Sequence, residues 1–186
     1  MNIKILSILV LISAFLLSWI PSDGMKRKAQ KPTVEELLES KEFKIECDWA
    51  MPTVTNAMNR VGNSGLLPVG TNIGRINLIG NANYLKFMGD SISADLPYYG
   101  ERQAGGGYNS SDGGIKFNGL AKDMKIEKNE KKGHYNIKFS INNNTESFNV
   151  NIRLFPNLNS TISIYSNQRN TIRYDGTASL LEAANE

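Results

Sequence analysis

The chain has 186 residues and a formal net charge of +3, the size of a single domain. A domain of ~150 residues buries about 70% of its unfolded surface, so a core can form without cross-links. Cys47 is the only cysteine, so no disulfide forms within the chain, and a single histidine with a single cysteine cannot make a His/Cys zinc site. Lys26, Arg27, Lys28 and Lys31 are four positive charges close together, enough to account for the net excess. The remainder is close to neutral, which is not the footprint of a nucleic-acid binder.

The first segment, "MNIKILSILVLISAFLLSWIPSDG", has a basic start at Lys4, an uncharged apolar run from Ile5 to Ile20 and a Pro-Ser-Asp-Gly exit. This is the layout of a secretory signal peptide, and the run is shorter than the ~20 residues of a spanning helix. Residues 1–24 are therefore expected to be a signal peptide, with an uncleaved anchor as the alternative. A basic leader and a short helix occupy residues 25–42. The expected location is the periplasm or cell envelope.

"KPTVEELLESKEF" predicts a helix. Thr33 and Glu36 form a capping box, and Val34, Leu37, Leu38 and Lys41 form a short stripe. Two turns do not persist alone, so this helix is expected to lie across one end of the downstream sheet or barrel. From Phe43 the period becomes two. "FKIECDWAM" places Phe43, Ile45, Cys47, Trp49 and Met51 on one face of a strand ended by Pro52, and makes Cys47 a small core residue.

Met51 to Gly70 is irregular, with a weak helical patch at "TNAMNRV". Strand patterns resume at "NIGRINLIG" and at "NYLKFMGDSISADLP", where Gly89-Asp90 suits a primed hairpin turn. After a glycine-rich loop come "GIKFNG", "KDMKIEK", "HYNIKFSI", "ESFNVNIRLF", "TISIYSN" and "TIRYDG", separated by polar turns. Tyr135, Ile137, Phe139 and Ile141 share one face, as do Phe148, Val150, Ile152 and Leu154. One dry and one wet face per strand make the sheet antiparallel, and short connections favour an up-and-down meander. The predicted class is all-β: a meander over residues 43–177 closed or nearly closed into a barrel, with a β-sandwich as the alternative and residues 178–186 as a C-terminal tail.

"LPYYG" (Leu96–Gly100) followed by "GGIKFNG" (Gly113–Gly119), the central "KKGHYNIKFSINNNTESFNVNI" and the ending "SNQRNTIRYDG" (Ser166–Gly176) resemble the exported bacterial family known as domain of unknown function 4251. The resemblance runs from about Phe43 to Gly176; "ERQAGGGY" and Met51 to Asn72 depart from the commonest form. It implies an envelope protein of a Gram-negative, gut-type bacterium with a lipocalin-like barrel, and brings no activity with it.

Signals for chemistry are sparse. His134 sits beside a hairpin glycine and reads as a partly exposed turn residue, and no G-x-S-x-G elbow is present. Glycines 105 to 107 fit neither G-x-G-x-x-G nor the Walker form, so the loop is not a nucleotide site. "YNSSDGG" lacks the spacing of a calcium loop. Asp90, Asp95, Glu101 and Asp112 cluster near the glycine-rich loop, as surface carboxylates commonly do. Arg169 lies in a turn, either solvated or paired with a carboxylate such as Asp95, and Tyr174 packs.

The expectation is a non-enzymatic protein without cofactor or metal. Tyr98, Tyr99, Arg102 and Tyr108 are the candidate ligand-binding residues at a barrel mouth, with a small apolar molecule, lipid or glycan as ligand. The alternative is a structural or protein-interaction envelope module whose core is filled and whose tyrosines seal the end; a hydrolase comes third. Asp90-Ser91-Ile92 fits the Asp-Ser/Thr-apolar form of periplasmic O-glycosylation, which makes Ser91 a candidate acceptor testable by the intact mass of native protein.

Overall fold

The computed structural model describes residues 31–65, 67, 69–104, 113–143 and 146–181. Every helix and strand among them falls in the unit Pro32–Glu186.

Helix α1 (Val34–Ser40) starts on the capping box that its sequence predicts. The Glu36 N–H donates to the Thr33 hydroxyl at 3.2 Å, and the Thr33 N–H donates to the Glu36 carboxylate at 2.8 Å. Val34 and Leu37 are buried and Leu38 packs beside them. Lys41, in the left-handed region with φ 53°, turns the chain into β1 (Glu42–Pro52). The weak helical patch forms α2 (Asn56–Asn63), and "NIGRINLIG" yields only the two residues of β2 (Ile76–Asn77).

The hairpin of β3 (Tyr84–Met88) and β4 (Ser91–Leu96) turns at Gly89, whose φ of 65° is what a primed turn asks of its first residue. The remaining strands are β5 (Ile115–Leu120), β6 (Lys122–Asn129), β7 (His134–Asn143), β8 (Glu146–Leu154), β9 (Asn159–Ser166) and β10 (Ile172–Leu180). The last runs beyond Gly176 because Thr177 to Leu180 continue to pair with β1.

These strands make one antiparallel 10-stranded sheet in the order β5-β4-β3-β1-β10-β9-β8-β7-β6, with β2 beside β1. β3 to β5 and β6 to β10 each run as the expected meander, and β1 inserts between β3 and β10. The two ends of that order, β5 and β6, are consecutive in the chain with only Ala121 between them; β5 pairs with β4 and β6 with β7. Asn143 also reaches from β7 to donate to the Lys116 carbonyl of β5 at 2.6 Å. The sheet is thus nearly closed into a barrel, and the two-sheet sandwich does not apply.

The dry face follows the predicted alternation along β7 and β8, whereas β6 buries none of its residues and β1 changes phase partway. Phe43, Ile45 and Cys47 point inward as predicted, but the pairing with β10 shifts between Cys47 and Trp49, leaving Asp48 as an extra residue. This bulge reverses the phase, so Ala50 and Pro52 are buried, while Trp49 and Met51 are only partly covered. The Arg75 guanidinium sits 4.3 Å from the Trp49 ring centroid. Placing Trp49 and Met51 on the core face was therefore incorrect, because one unpaired residue inverts everything after it.

The interior is occupied by rings from several staves. Phe43 and Phe87, directly opposed on β1 and β3, stack at 4.3 Å between centroids. Phe87 meets Phe139 of β7 edge-on at 6.0 Å, and Phe117 of β5 meets Phe148 of β8 at 5.5 Å. Since β3 and β7 are not neighbours in the sheet, the Phe87–Phe139 contact spans the barrel.

Candidate functional site

The densest polar cluster lies at one end of the barrel and centres on Glu146. Glu146 opens β8 in the same phase as Phe148, Val150, Ile152 and Leu154, so the strand carries its carboxylate inward, and it is buried. Arg169, from the turn between β9 and β10, is also buried and grips it with two prongs, Nε to Oε1 at 2.7 Å and Nη2 to Oε2 at 3.0 Å. Ser166, ending β9, donates to Oε1 at 2.5 Å, and Arg102 donates to Oε2 at 3.1 Å. Every lone-pair direction of the carboxylate is then in use. Burial alone would raise the Glu146 pKa, but the hydrogen bonds from Arg169 and Ser166, and the charges of Arg169 and Arg102, outweigh it and hold the group below the ordinary carboxylate value.

The surrounding chain is tied to this cluster. Arg102 also donates to Gln168 Oε1 at 3.0 Å and to the Ala104 carbonyl at 3.3 Å. Main-chain bonds from the Gln103 N–H to the Gln168 carbonyl, 2.6 Å, and from the Asn170 N–H to the Glu101 carbonyl, 3.1 Å, lay segment 101–104 along the β9–β10 turn. Arg169 Nη1 donates to the Gly113 carbonyl at 2.7 Å. Its guanidinium stands 5.1 Å from the Tyr98 ring centroid, and the Tyr98 hydroxyl shares its single proton between the Glu101 and Asn170 carbonyls, 2.9 and 3.1 Å away. Nearby, the buried Tyr174 donates to the Pro97 carbonyl at 2.8 Å.

Of the predicted quartet, Tyr98 and Arg102 come together here, each already engaged with protein groups. Tyr99 is half-buried against the core, and Tyr108 lies outside the described residues. Ser91 is half-buried as the first residue of β4, between β3 and β5, with its hydroxyl 3.5 Å from the Gly119 carbonyl.

Two other expectations need correction. Arg169 is not solvated but pairs with a carboxylate, and the partner is Glu146, presented by the inward phase of β8, not Asp95, which lies 3.4 Å from Lys116. His134 is buried rather than partly exposed, 5.4 Å from the Phe155 ring, because β7 begins at that residue and draws it into the sheet. Glu146 was missed, although a signal existed: running the Phe148–Leu154 alternation two residues back puts a glutamate on the dry face. Of the suspected acid cluster, Asp90 pairs with Lys41 at 3.0 Å on the surface, Glu101 contributes its carbonyl, and Asp112 lies outside the described residues. Among the described residues no group of three or more His, Cys, Asp or Glu could hold a metal ion.

The described cavities are open grooves. One of about 410 Å³ lies among Asp48, Asn159, Thr161, Asp175 and Thr177, where Thr161 donates to Asp175 at 3.0 Å. A second, of about 360 Å³, lies across β6 to β9.

The crystal structure of a DUF4251 family protein from Bacteroides eggerthii DSM 20697 is similar to this chain, with a TM-score of 0.52 and 18% sequence identity, over 77% of this chain and 82% of that one. At that identity the likeness concerns the fold alone. No curated protein matches the chain. The family model described as "Domain of unknown function (DUF4251)" matches residues 25–178, and the chain belongs to that family.

Proposed function

We propose that this protein is an exported, non-enzymatic cell-envelope module that makes its contacts on the outside of a filled barrel. The contact of Phe87 with Phe139 across the interior, at 6.0 Å between ring centroids, carries this reading. An apolar ligand seated between those staves would have to separate the rings. It would also enter past Tyr98 and Arg102, whose hydrogen-bonding groups are engaged at the barrel end. Opening that end would strip a buried carboxylate of its partners, at a cost of about 3–5 kcal/mol. Tyr98, Arg102 and Tyr99 then act as a plug. The N-terminal apolar run with its basic start supports export.

Native mass spectrometry of protein taken from the periplasm or envelope of its own cells tests both parts. The expected result is a chain beginning after the apolar run with no co-purified lipid. A stoichiometric apolar molecule retained in the native ion, or recovery of the chain only from the cytoplasm, would overturn the reading.

A further inference from the structure

We infer that the groove across β6, β7, β8 and β9 is a binding site for an acidic saccharide, a sugar carrying a carboxylate or phosphate. Lys125 and Lys138 stand directly opposite each other on β6 and β7, both exposed, and neither has a hydrogen-bond or ion-pair partner among the described residues. Like charges in that position repel and destabilise a sheet, and an anion between them removes the repulsion while gaining charge-assisted hydrogen bonds. Lysines on an edge strand guard against unwanted pairing, which would account for Lys125. Lys138 has no such role, because β7 is flanked by β6 and β8.

The concavity has a local cause. The β6–β7 pairing shifts between Lys122 and Lys125, and Asp123 adopts a left-handed φ of 53°, a bulge that bends β6 at its start. Asp123 is the one carboxylate among the lining residues, so the groove keeps a net positive charge. Its volume of about 360 Å³ is in the lower part of the ~300–1,000 Å³ range of small-molecule sites.

The rest of the lining suits a sugar ring. Tyr165 is 49% exposed and sits directly across from Asn149 on β8, an aromatic surface beside an exposed amide. Asn151, paired across from Lys138, has its Oδ1 shielded from solvent without a hydrogen-bond partner. A small side-chain rotation offers that acceptor to a hydroxyl donor. A saccharide supplies hydroxyls for the amides, a C–H face for the ring and, when acidic, a charge for the lysines.

This inference rests on the outside-contact reading, yet the two fail separately. Titration calorimetry of the full chain with trigalacturonate, glucose 6-phosphate and neutral maltotriose tests it, the first two distinguishing carboxylate from phosphate. At least one acidic probe should bind ten-fold or more tightly than maltotriose and weaken as salt rises. The double variant Lys125→Ala/Lys138→Ala should lose at least ten-fold in affinity and Tyr165→Ala at least three-fold, with melting temperatures at or above the parent's for the lysine change. No binding of either acidic probe, equal binding of maltotriose, or affinity unchanged in the folded lysine variant would each overturn the inference. So would phosphatidylglycerol vesicles binding through these lysines while the sugars do not. A lipid-free native mass alongside any of those results would leave the filled-barrel reading standing.

Discussion

Arg169 holds Glu146 by two parallel hydrogen bonds, 2.7 and 3.0 Å long, with less than a tenth of either side chain exposed. One residue comes from the start of β8 and the other from the β9–β10 turn, so the pair fastens two parts of the barrel end. Removing one partner leaves the other charged and dry. Glu146→Ala should cost about 3–5 kcal/mol, whereas the matched apolar double Glu146→Leu/Arg169→Met should cost much less than the sum of its single variants. Urea unfolding of the set measures this, and additive losses would show that the pair does not act as a unit.

The same pair predicts how stability depends on acid. The folded protein holds the Glu146 carboxyl below its ordinary value of 4.5, so the unfolded chain takes up this proton first as pH falls. The stabilisation is complete above that ordinary value and is lost as pH drops through it towards the lower, folded one. Melting temperature followed from neutral pH to well below 4.5 should fall more steeply for the parent than for Glu146→Gln. Parallel curves would assign the acid sensitivity to other groups.

Cys47 should be inert. Burial, reinforced by the negative charges of Asp48 and Asp175, pushes its thiol up to about 12. Thiolate is the reactive form, so a thiol-specific reagent at mildly alkaline pH should label it only after denaturant is added. Rapid labelling of the native protein would mean that the β1–β10 seam opens readily. The raised value also implies that stability declines as pH climbs from the ordinary thiol value of 9.0 towards 12.

Gly176 faces Cys47 at the start of the β1 bulge. A Cβ there would overlap the Glu46 carbonyl oxygen and lie 2.7 Å from the Cys47 Cα. Both are backbone, so neither moves aside cheaply. Gly176→Ala should destabilise by about 1–3 kcal/mol, the usual range for overpacking, and lower the urea midpoint. An unchanged midpoint would show that the two strands can separate there without loss.

Much of the architecture was legible because it is local. Alternation along Phe148–Leu154 needs no partner to declare which face is dry, and the Thr33–Glu36 box lies within one turn of helix. The chain's own chemistry likewise assigned Gly89 to a turn and Cys47 to the core. The candidate site was legible only in pieces, since "LPYYGER" marked Tyr98 and Arg102 but nothing nearby marked what they would touch.

Tertiary structure decided the rest. Which carboxylate meets Arg169 depends on bringing β8 beside the β9–β10 turn, and nearby Asp95 instead meets Lys116. The reversal at Trp49 follows from the extra residue Asp48 in the pairing of β1 with β10, and that register is set by a strand more than a hundred residues away in the chain. Facing lysines on β6 and β7 are equally invisible along the chain. Periodicity reports which way a side chain points, whereas its partner is set by strand register and closure, and those are properties of the whole barrel.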